Sequence, residues 1–375
     1  MDKAKRLAQL LEKAGIQING SQPWDIRIND QRAINRILSE PSVGAGESYM
    51  DDWWDCQQLD EFFFRILRHL DLKDLYHYTT FLAYRFKNIF HNPQSKNRSK
   101  QVAIQHYNLG NDLYTAMLGK SMAYTCGYWR LAEQLDQAQF AKYDLICKKL
   151  ELKPGETVLE LGCGFGGFAK FAAENYSVNL VCINISHEQM NFAKQFCKNL
   201  PVQFVECDYR DVPNYNPEKI KFDKVVSIGL CEHVGYENYN TFFKIVRNNI
   251  KENGLFLLHT IAKNTSHCFS DPWIQKYIFP HGMLPSVRIL SDTAERYFVT
   301  EDVHNMGADY DKTLMAWNEN FDKNWPQLAH YGDKFRRMWR YYLLSCAGGF
   351  RARSMQLYQF VFSPQGKIDG YLSYR

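Results

Sequence analysis

The stretch Glu160-Leu161-Gly162-Cys163-Gly164-Phe165-Gly166-Gly167 decides the fold of this chain. An apolar run, Thr157-Val158-Leu159, precedes it and predicts a strand, whereas residues 168–173 follow it with the pattern of a helix. Glycines permit left-handed backbone angles and let a ligand approach the main chain, and a helix N-terminus presents free N–H groups. Because the acidic residue before the glycines can hold an amine or a hydroxyl, the stretch predicts a site for a nucleoside with an amino-acid tail.

Strand-like and helix-like segments alternate beyond this turn. The first strand-like run covers residues 157–161, and the further runs cover residues 179–183, 202–206, 223–228, 255–261 and 357–362. Such alternation predicts an α/β fold, with a parallel sheet covered by helices on both faces. Ligands of these sheets bind at the carboxyl ends of the strands, so the functional residues are expected there.

Composition limits the possible functions. The 375 residues carry 45 basic and 41 acidic side chains, a net charge of +4, so the chain lacks the strongly basic surface of a nucleic-acid coat. Aromatic residues make up 15%, which fits either a large core or a pocket for apolar chains and electron-poor centres. The ten cysteines are scattered, which predicts a reduced cytoplasmic chain with neither a disulfide framework nor a bound metal.

The chain divides into three predicted parts. Residues 1–92 predict a helical domain with aromatic-rich helices around residues 62–64 and 81–84, residues 93–110 a basic linker, and residues 111–375 the catalytic domain. Residues 85–100 hold five Lys or Arg and no acid, which fits a solvated connector or a patch for anionic head groups. No apolar run reaches the roughly 18–20 residues that span a bilayer. A cytoplasmic protein that touches the inner face of the membrane is therefore expected.

The ends of the next two strands offer polar and aromatic groups to one adenosine. Asn184, Ile185 and Gln189 follow the second strand, and Asp208 with Tyr209 follows the third. Asp208 can accept a hydrogen bond from an adenine amine and Tyr209 can stack on the base; the alternative, less favoured, is that Asp208 is a helix cap. A dinucleotide fold also uses a glycine-rich turn, but it favours an acid at the end of the second strand.

Several motifs carry a family resemblance. Residues 160–164 resemble motif I of class I S-adenosylmethionine-dependent methyltransferases. Seven further motifs resemble the cyclopropane-fatty-acyl-phospholipid synthases, and they occupy residues 46–54, 106–112, 124–129, 231–235, 259–261, 307–310 and 346–351. The resemblance implies a Rossmann-like sheet of seven mostly parallel strands with a smaller, mainly helical N-terminal domain.

The resemblance also implies a reaction. The family transfers a methylene group from S-adenosylmethionine to the cis double bond of an unsaturated phospholipid acyl chain, with a bound bicarbonate ion as the general base. It further implies a peripheral membrane enzyme that forms a homodimer. Three alternatives stay open: a lipid methyltransferase that stops at a methyl branch, a non-catalytic membrane lipid-binding protein, and a nucleic-acid methyltransferase.

The family's site residues carry over position by position. The residues implied to act in catalysis are Cys126, Glu232, His259, Tyr310 and Cys346. The residues implied to hold bicarbonate are Cys126, Glu232, His259, Ile261 and Tyr310. The residues implied to bind the cofactor are Tyr124, Thr125, Glu160, Gly162, Cys163, Gly164, Gly166, Asn184, Ile185, Gln189, Asp208 and Tyr209. Cys346 matches a family motif often marked as catalytic, but the chemistry forms no covalent enzyme intermediate, so a packing role is favoured.

Overall fold

The protein is described by a computed structural model that covers residues 2–70, 110–216, 220–266 and 270–375. Four sequence features lie outside these residues: the aromatic segment 81–84, the basic segment 85–100, residues 93–109 of the predicted linker and residues 106–109 of one family motif. The described residues fall into two compact units. Among the described residues, the first unit comprises 2–70, 270–280 and 310–355, and the second comprises 110–216, 220–266, 281–309 and 356–375.

The second unit is built on a seven-stranded sheet. In chain order its strands are β3 (Thr157–Leu161), β4 (Asn179–Asn184), β5 (Val202–Glu206), β6 (Phe222–Ile228), β7 (Ile250–Lys263), β8 (Val299–Asn305) and β9 (Met355–Ser363). Their order across the sheet is β5-β4-β3-β6-β7-β9-β8. The pairs β3–β4, β3–β6, β4–β5 and β6–β7 are parallel, and β8–β9 is antiparallel. The predicted fold class is confirmed.

Helices cover both faces of this sheet. The described helices of this unit are α5 (Asn111–Leu118), α6 (Leu135–Lys149), α7 (Gly167–Tyr176), α8 (His187–Phe196), α9 (Val212–Tyr215), α10 (Cys231–Val234), α11 (Tyr239–Asn249) and α13 (Val287–Ala294). Successive side chains of a strand point to opposite faces. Accordingly, Leu159 joins one buried apolar cluster and its neighbour Val158 joins the other. The turns at the carboxyl ends of β3 and β6 are therefore held between two packed layers.

The first unit is mainly helical, as predicted for the N-terminal region. Its elements include α1 (Lys3–Glu12), α2 (Arg32–Ser39), α3 (Pro41–Met50), α4 (Leu59–His69), α12 (Pro272–Tyr277) and α15 (Asp333–Arg351), and α14 (Gly307–Leu328) contributes residues from 310 onward. The short strands β1 (Arg27–Ile28) and β2 (Trp54–Asp55) pair antiparallel. The ring centroid of Tyr341 lies 6.4 Å from that of Trp54 and 4.5 Å from that of Trp273.

Two segments of the first unit were assigned to the catalytic domain by sequence. Residues 270–280 and 310–355 cluster with residues 2–70, although they fall within the predicted domain 111–375. The division of function between the domains stays a prediction. Across the described ranges, no helix combines the length and apolarity needed to cross a bilayer.

Candidate active site

The glycine-rich turn lies at the carboxyl end of β3, where the strand order reverses. Gly162, Gly164 and Gly166 have φ of 81°, 53° and 81°, which side chains with a Cβ rarely adopt. The N–H groups of Gly162 and Cys163 both donate to the carbonyl of Ile183, at 2.8 and 3.1 Å. Because these bonds tie the turn to β4, its backbone is fixed at the start of α7, as a bound nucleoside requires.

Glu160 is buried just before this turn. Its side chain is 2% exposed, and the Cys182 thiol lies 3.5 Å from its Oε2. Burial raises the pKa of Glu160 to about 7, while hydrogen bonding from Cys182 and the charge of Lys142 oppose this rise. A buried carboxylate with one weak donor retains the capacity to accept from a ligand amine or hydroxyl.

The residues after β4 that were predicted to bind the adenosine are hydrogen-bonded to one another. Asn184 donates from Nδ2 to Gln189 Oε1 at 2.9 Å and to the Gly164 carbonyl at 3.3 Å. Its Oδ1 accepts from the N–H of Ile185 at 2.8 Å. The structure thus brings Asn184, Ile185, Gln189 and the glycine turn together at the carboxyl ends of β3 and β4.

Asp208 does cap a helix, the alternative left open by the sequence. Its Oδ1 accepts from the N–H of Arg210 at 2.9 Å at the start of the 3₁₀ turn Tyr209–Asp211. The Arg210 guanidinium also pairs with both carboxylate oxygens at 2.7 Å. Tyr209 packs against Phe242 at 5.6 Å and keeps a buried hydroxyl without a partner in the described residues. The contacts of both residues with adenine stay predictions.

A buried lysine that sequence analysis missed holds the Tyr124-Thr125-Cys126 segment. Lys142 is fully buried and donates to Thr125 Oγ1 and Gln139 Oε1, both at 2.8 Å. The Gln139 amide donates in turn to the Thr125 carbonyl at 2.8 Å. A signal did exist, because Lys142 follows Leu135 and Ala138 at the spacing of the buried face of α6.

Thr125 also packs closely against the turn that follows β6. Gly229 has φ of 71°, and a Cβ built there would lie 2.8 Å from Thr125 Cγ2. The Gly229 N–H donates to the His259 carbonyl at 2.9 Å. The segment that contains Cys126 is therefore held at the carboxyl end of β6, beside the part of β7 that contains His259.

Substitution of Gly229 by Ala is expected to loosen this packing. Strain and the collision with Thr125 should lower the free energy of unfolding by about 2–4 kcal/mol, measured by urea titration. Gly155→Ala is the matched control, because Gly155 has φ of 83° but no atom within 4 Å of the added Cβ. Equal losses in the two variants would contradict the close approach of Thr125.

Glu232 is anchored by the backbone of β7. The N–H of Ile261 donates to Glu232 Oε1 at 2.7 Å, whereas the buried Oε2 has no partner in the described residues. The resemblance implies that backbone near Ile261 donates to the bicarbonate ion, but here this N–H is paired with Glu232. Burial raises the pKa of Glu232 to about 7.

The raised pKa of Glu232 predicts a pH-dependent stability. Between an unfolded value near 4.5 and a folded value near 7, only the folded chain keeps this proton, so rising pH lowers its free energy of unfolding. Glu232→Gln has no carboxyl group to titrate. Between pH 4.5 and pH 8, we therefore expect the free energy of unfolding of the wild type to fall by about 3 kcal/mol relative to that of the variant. Urea titrations across this range measure the fall, and a constant difference between the two proteins would contradict it.

His259 lies two residues before Ile261 on the same strand. Its ring is 1% exposed, its Nδ1 lies 3.3 Å from Gln359 Nε2, and its Nε2 has no partner in the described residues. Burial lowers the pKa of His259 well below its ordinary value, and the charges of Lys142 and Lys149 act in the same direction. The imidazole is therefore neutral at pH 7 and carries one N–H.

The remaining predicted residues differ in their surroundings. Cys126 is fully buried in the second unit, and its thiol donates to the Gly127 carbonyl at 3.1 Å. Tyr310 and Cys346 belong to the first unit, where the Tyr310 ring packs on Phe350 at 4.5 Å. Burial raises the pKa of Cys346 to about 12. The thiol is therefore protonated at neutral pH, which disfavours a nucleophilic role.

Strand order, glycine turn and buried acid together define the class I S-adenosylmethionine-dependent methyltransferase fold. A family model of mycolic acid cyclopropane synthetase matches residues 94–360. The chain is 49% identical over 357 residues to the cyclopropane-fatty-acyl-phospholipid synthase of Escherichia coli K12, covering 95% of this chain and 92% of that protein. It is 34% identical to a probable fatty acid methyltransferase of Pseudomonas putida, covering 72% of this chain and 71% of that one.

A solved structure agrees with these relatives. Mycolic acid cyclopropane synthase CmaA1, complexed with SAH and CTAB, superposes with a TM-score of 0.65 and 30% identity, over 70% of this chain and 97% of that one. This chain belongs to the mycolic acid cyclopropane synthetase family. The predicted family and the predicted methyltransferase class are both confirmed.

Proposed function

We propose that this enzyme transfers a methylene group from S-adenosylmethionine to the cis double bond of unsaturated phospholipid acyl chains. The product is a cyclopropane fatty acyl phospholipid, and the bound general base is bicarbonate. Support comes from the family, from the similarity to the Escherichia coli synthase over 95% of the chain, and from the buried polar groups described above. From the resemblance we also propose a homodimer that acts at the inner face of the membrane.

The reaction requires a base that the alkene itself does not supply. The alkene π electrons form a bond to the sulfonium methyl as the carbon–sulfur bond breaks, which leaves S-adenosylhomocysteine and a carbocation on the lipid. The ring closes when a base takes a proton from the transferred methyl and its C–H electrons form the last bond. Water must be excluded from the cation, because it would otherwise be captured as an alcohol.

The proposed base is supported by two buried polar atoms that have no hydrogen-bond partner in the described residues. Glu232 Oε2 is an acceptor without a partner and His259 Nε2 a nitrogen without one, and both residues are at least nine-tenths buried. Buried polar atoms left unpaired cost about 1–3 kcal/mol each, so this pair favours a bound polar group. Bicarbonate both donates through its O–H and accepts through its oxygens, so it can pair with an acceptor such as Glu232 Oε2 and with a donor N–H of His259.

The side chains have separate roles in this proposal. Glu232, fixed by the Ile261 N–H, accepts the O–H of the ion and raises its basicity, as an outer ligand does at a metal site. The neutral imidazole of His259 donates to an oxygen of the ion, and Cys126 bounds the site. The resemblance adds the Tyr310 hydroxyl as a second donor. When bound, bicarbonate supplies the base that accepts the methyl proton.

The cofactor fits the glycine turn of β3. Gly162, Gly164 and Gly166 leave room for close approach of a nucleoside, and Glu160 provides a buried acceptor for its amino or hydroxyl groups. Bound there, the methyl donor would lie at the carboxyl end of the sheet, where Glu232 and His259 are anchored.

Label transfer tests this function. Purified enzyme is incubated with methyl-labelled S-adenosylmethionine and vesicles of mono-unsaturated phospholipid, and the acyl chains are recovered. We expect label in cyclopropane acyl chains and none with vesicles of saturated phospholipid. Label in a methyl-branched chain would support the alternative lipid methyltransferase. Cofactor binding without any labelled product would support a non-catalytic lipid-binding protein.

A further inference from the structure

A buried side chain of β9 contacts the imidazole of His259. Gln359 is completely buried, and its Nε2 lies 3.3 Å from His259 Nδ1. The strand β9 is the neighbour of β7 in the sheet, so this contact joins two adjacent strands. The other amide atom of Gln359, Oε1, has no partner in the described residues.

This contact favours one position for the proton on the imidazole ring. A glutamine NH₂ group can only donate, so the His259 Nδ1 that faces it must accept. A neutral imidazole carries a single N–H, which then resides on Nε2. The orphaned Nε2 of His259 is therefore a donor, as an oxyanion requires.

We propose that Gln359 is a positioning residue, which fixes His259 in the tautomer protonated on Nε2 and thereby presents this N–H to the bound oxyanion. The inference rests on the proposed function, because the oxyanion is the bicarbonate proposed there. Gln359 acts through His259 and makes no contact with the reacting atoms.

Neighbouring charges also favour the neutral ring. Gln359 lies directly opposite His304 of β8, and His304 Nδ1 is 3.1 Å from the buried Lys149 Nζ. Lys149 pairs with Asp302 at 3.3 Å. A positive imidazole at His259 would lie near Lys149 and Lys142, which disfavours its protonation. Because the charged ring is disfavoured, two neutral tautomers remain, and Gln359 selects between them.

The tautomer can be measured directly. We would record long-range ¹H–¹⁵N spectra of the full-length protein with ¹⁵N-labelled histidine and assign the His259 signals by their loss in His259→Gln. Nitrogen shifts with the proton on Nε2 are expected from pH 6.5 to pH 8. A proton on Nδ1, donated to Gln359 Oε1, would overturn the proposal without the need for any variant of Gln359.

A variant pair tests the consequence for the site. Gln359→Met should raise the bicarbonate concentration for half-maximal turnover by about 10–100-fold, the usual effect of removing an outer hydrogen-bond partner. The KM for S-adenosylmethionine should stay unchanged. Gln356→Met is the control, because Gln356 is buried on the same strand and contacts Asn305. Equal responses to bicarbonate in the two variants would overturn the proposal.

The two proposals fail in different ways. If turnover of the wild type does not depend on bicarbonate, the proposed base is wrong, and the nitrogen shifts still decide the tautomer. If turnover depends on bicarbonate but the proton resides on Nδ1, the base stands and the role of Gln359 is wrong.

Discussion

Glu232→Gln is expected to lower turnover by about 10²–10⁴-fold, the typical contribution of a positioned acid–base group. The amide keeps the size of the side chain and can still accept from the Ile261 N–H at Oε1. It places an NH₂ group or a neutral oxygen where the proposal requires an anionic acceptor. The ion would then lose the partner that orients it and raises its basicity, so ring closure should fail.

Cofactor affinity separates this explanation from a general loss of structure. Glu232→Gln should bind S-adenosylmethionine by calorimetry as the wild type does, because Glu160 and the glycine turn are unchanged. The control is Glu237→Gln, since Glu237 is exposed in the 3₁₀ turn Tyr236–Asn238 that follows. Near-normal turnover in Glu232→Gln would refute the proposed bicarbonate site.

Removal of bicarbonate is expected to lower wild-type turnover by at least about tenfold, because the second step loses its base. The experiment uses degassed, carbon-dioxide-free buffer at pH 7.5 and restores activity by adding sodium bicarbonate. Sodium chloride at equal ionic strength is the control. The Glu232→Gln variant should respond weakly to the added ion. Full activity in depleted buffer, with tightly bound carbonate excluded by analysis of the protein, would show that another group is the base.

The central sheet was largely predictable from the sequence. The segments 157–161 and 202–206 form strands over the predicted residues, because β-branched and apolar residues there are bounded by turns. The strand β8 (Val299–Asn305) was not identified individually. It contains charged residues and lies at the edge of the sheet, so it lacks a continuous apolar run.

Long-range organisation was less predictable. Residues 269–280 and 310–355 follow methyltransferase segments in the chain but pack with the N-terminal helices. Arg337, for example, donates to the carbonyl of Trp54 at 2.9 Å. Contacts between residues so distant in sequence leave no local pattern.

The site was predictable where chemistry requires a residue type in a motif. Glu160 and the glycines were found from their spacing, whereas Glu232 and His259 were assigned to the site from the family resemblance. Lys142 and Gln359 were missed because their importance depends on burial and on partners distant in sequence. Asp208 is the opposite case. It was predicted to contact adenine, but its bonds to Arg210 two residues later are compatible with a local helix cap alone.

The proposed ring closure can be followed by the fate of the hydrogens on the transferred carbon. Enzyme, mono-unsaturated phospholipid vesicles and S-adenosylmethionine with a fully deuterated methyl group are combined, and the acyl chains are analysed by mass spectrometry and NMR. We expect a cyclopropane ring whose added carbon keeps two deuterium atoms, with the third lost to solvent through the base. A methyl branch that keeps all three would contradict it, because no proton would then have left the transferred carbon.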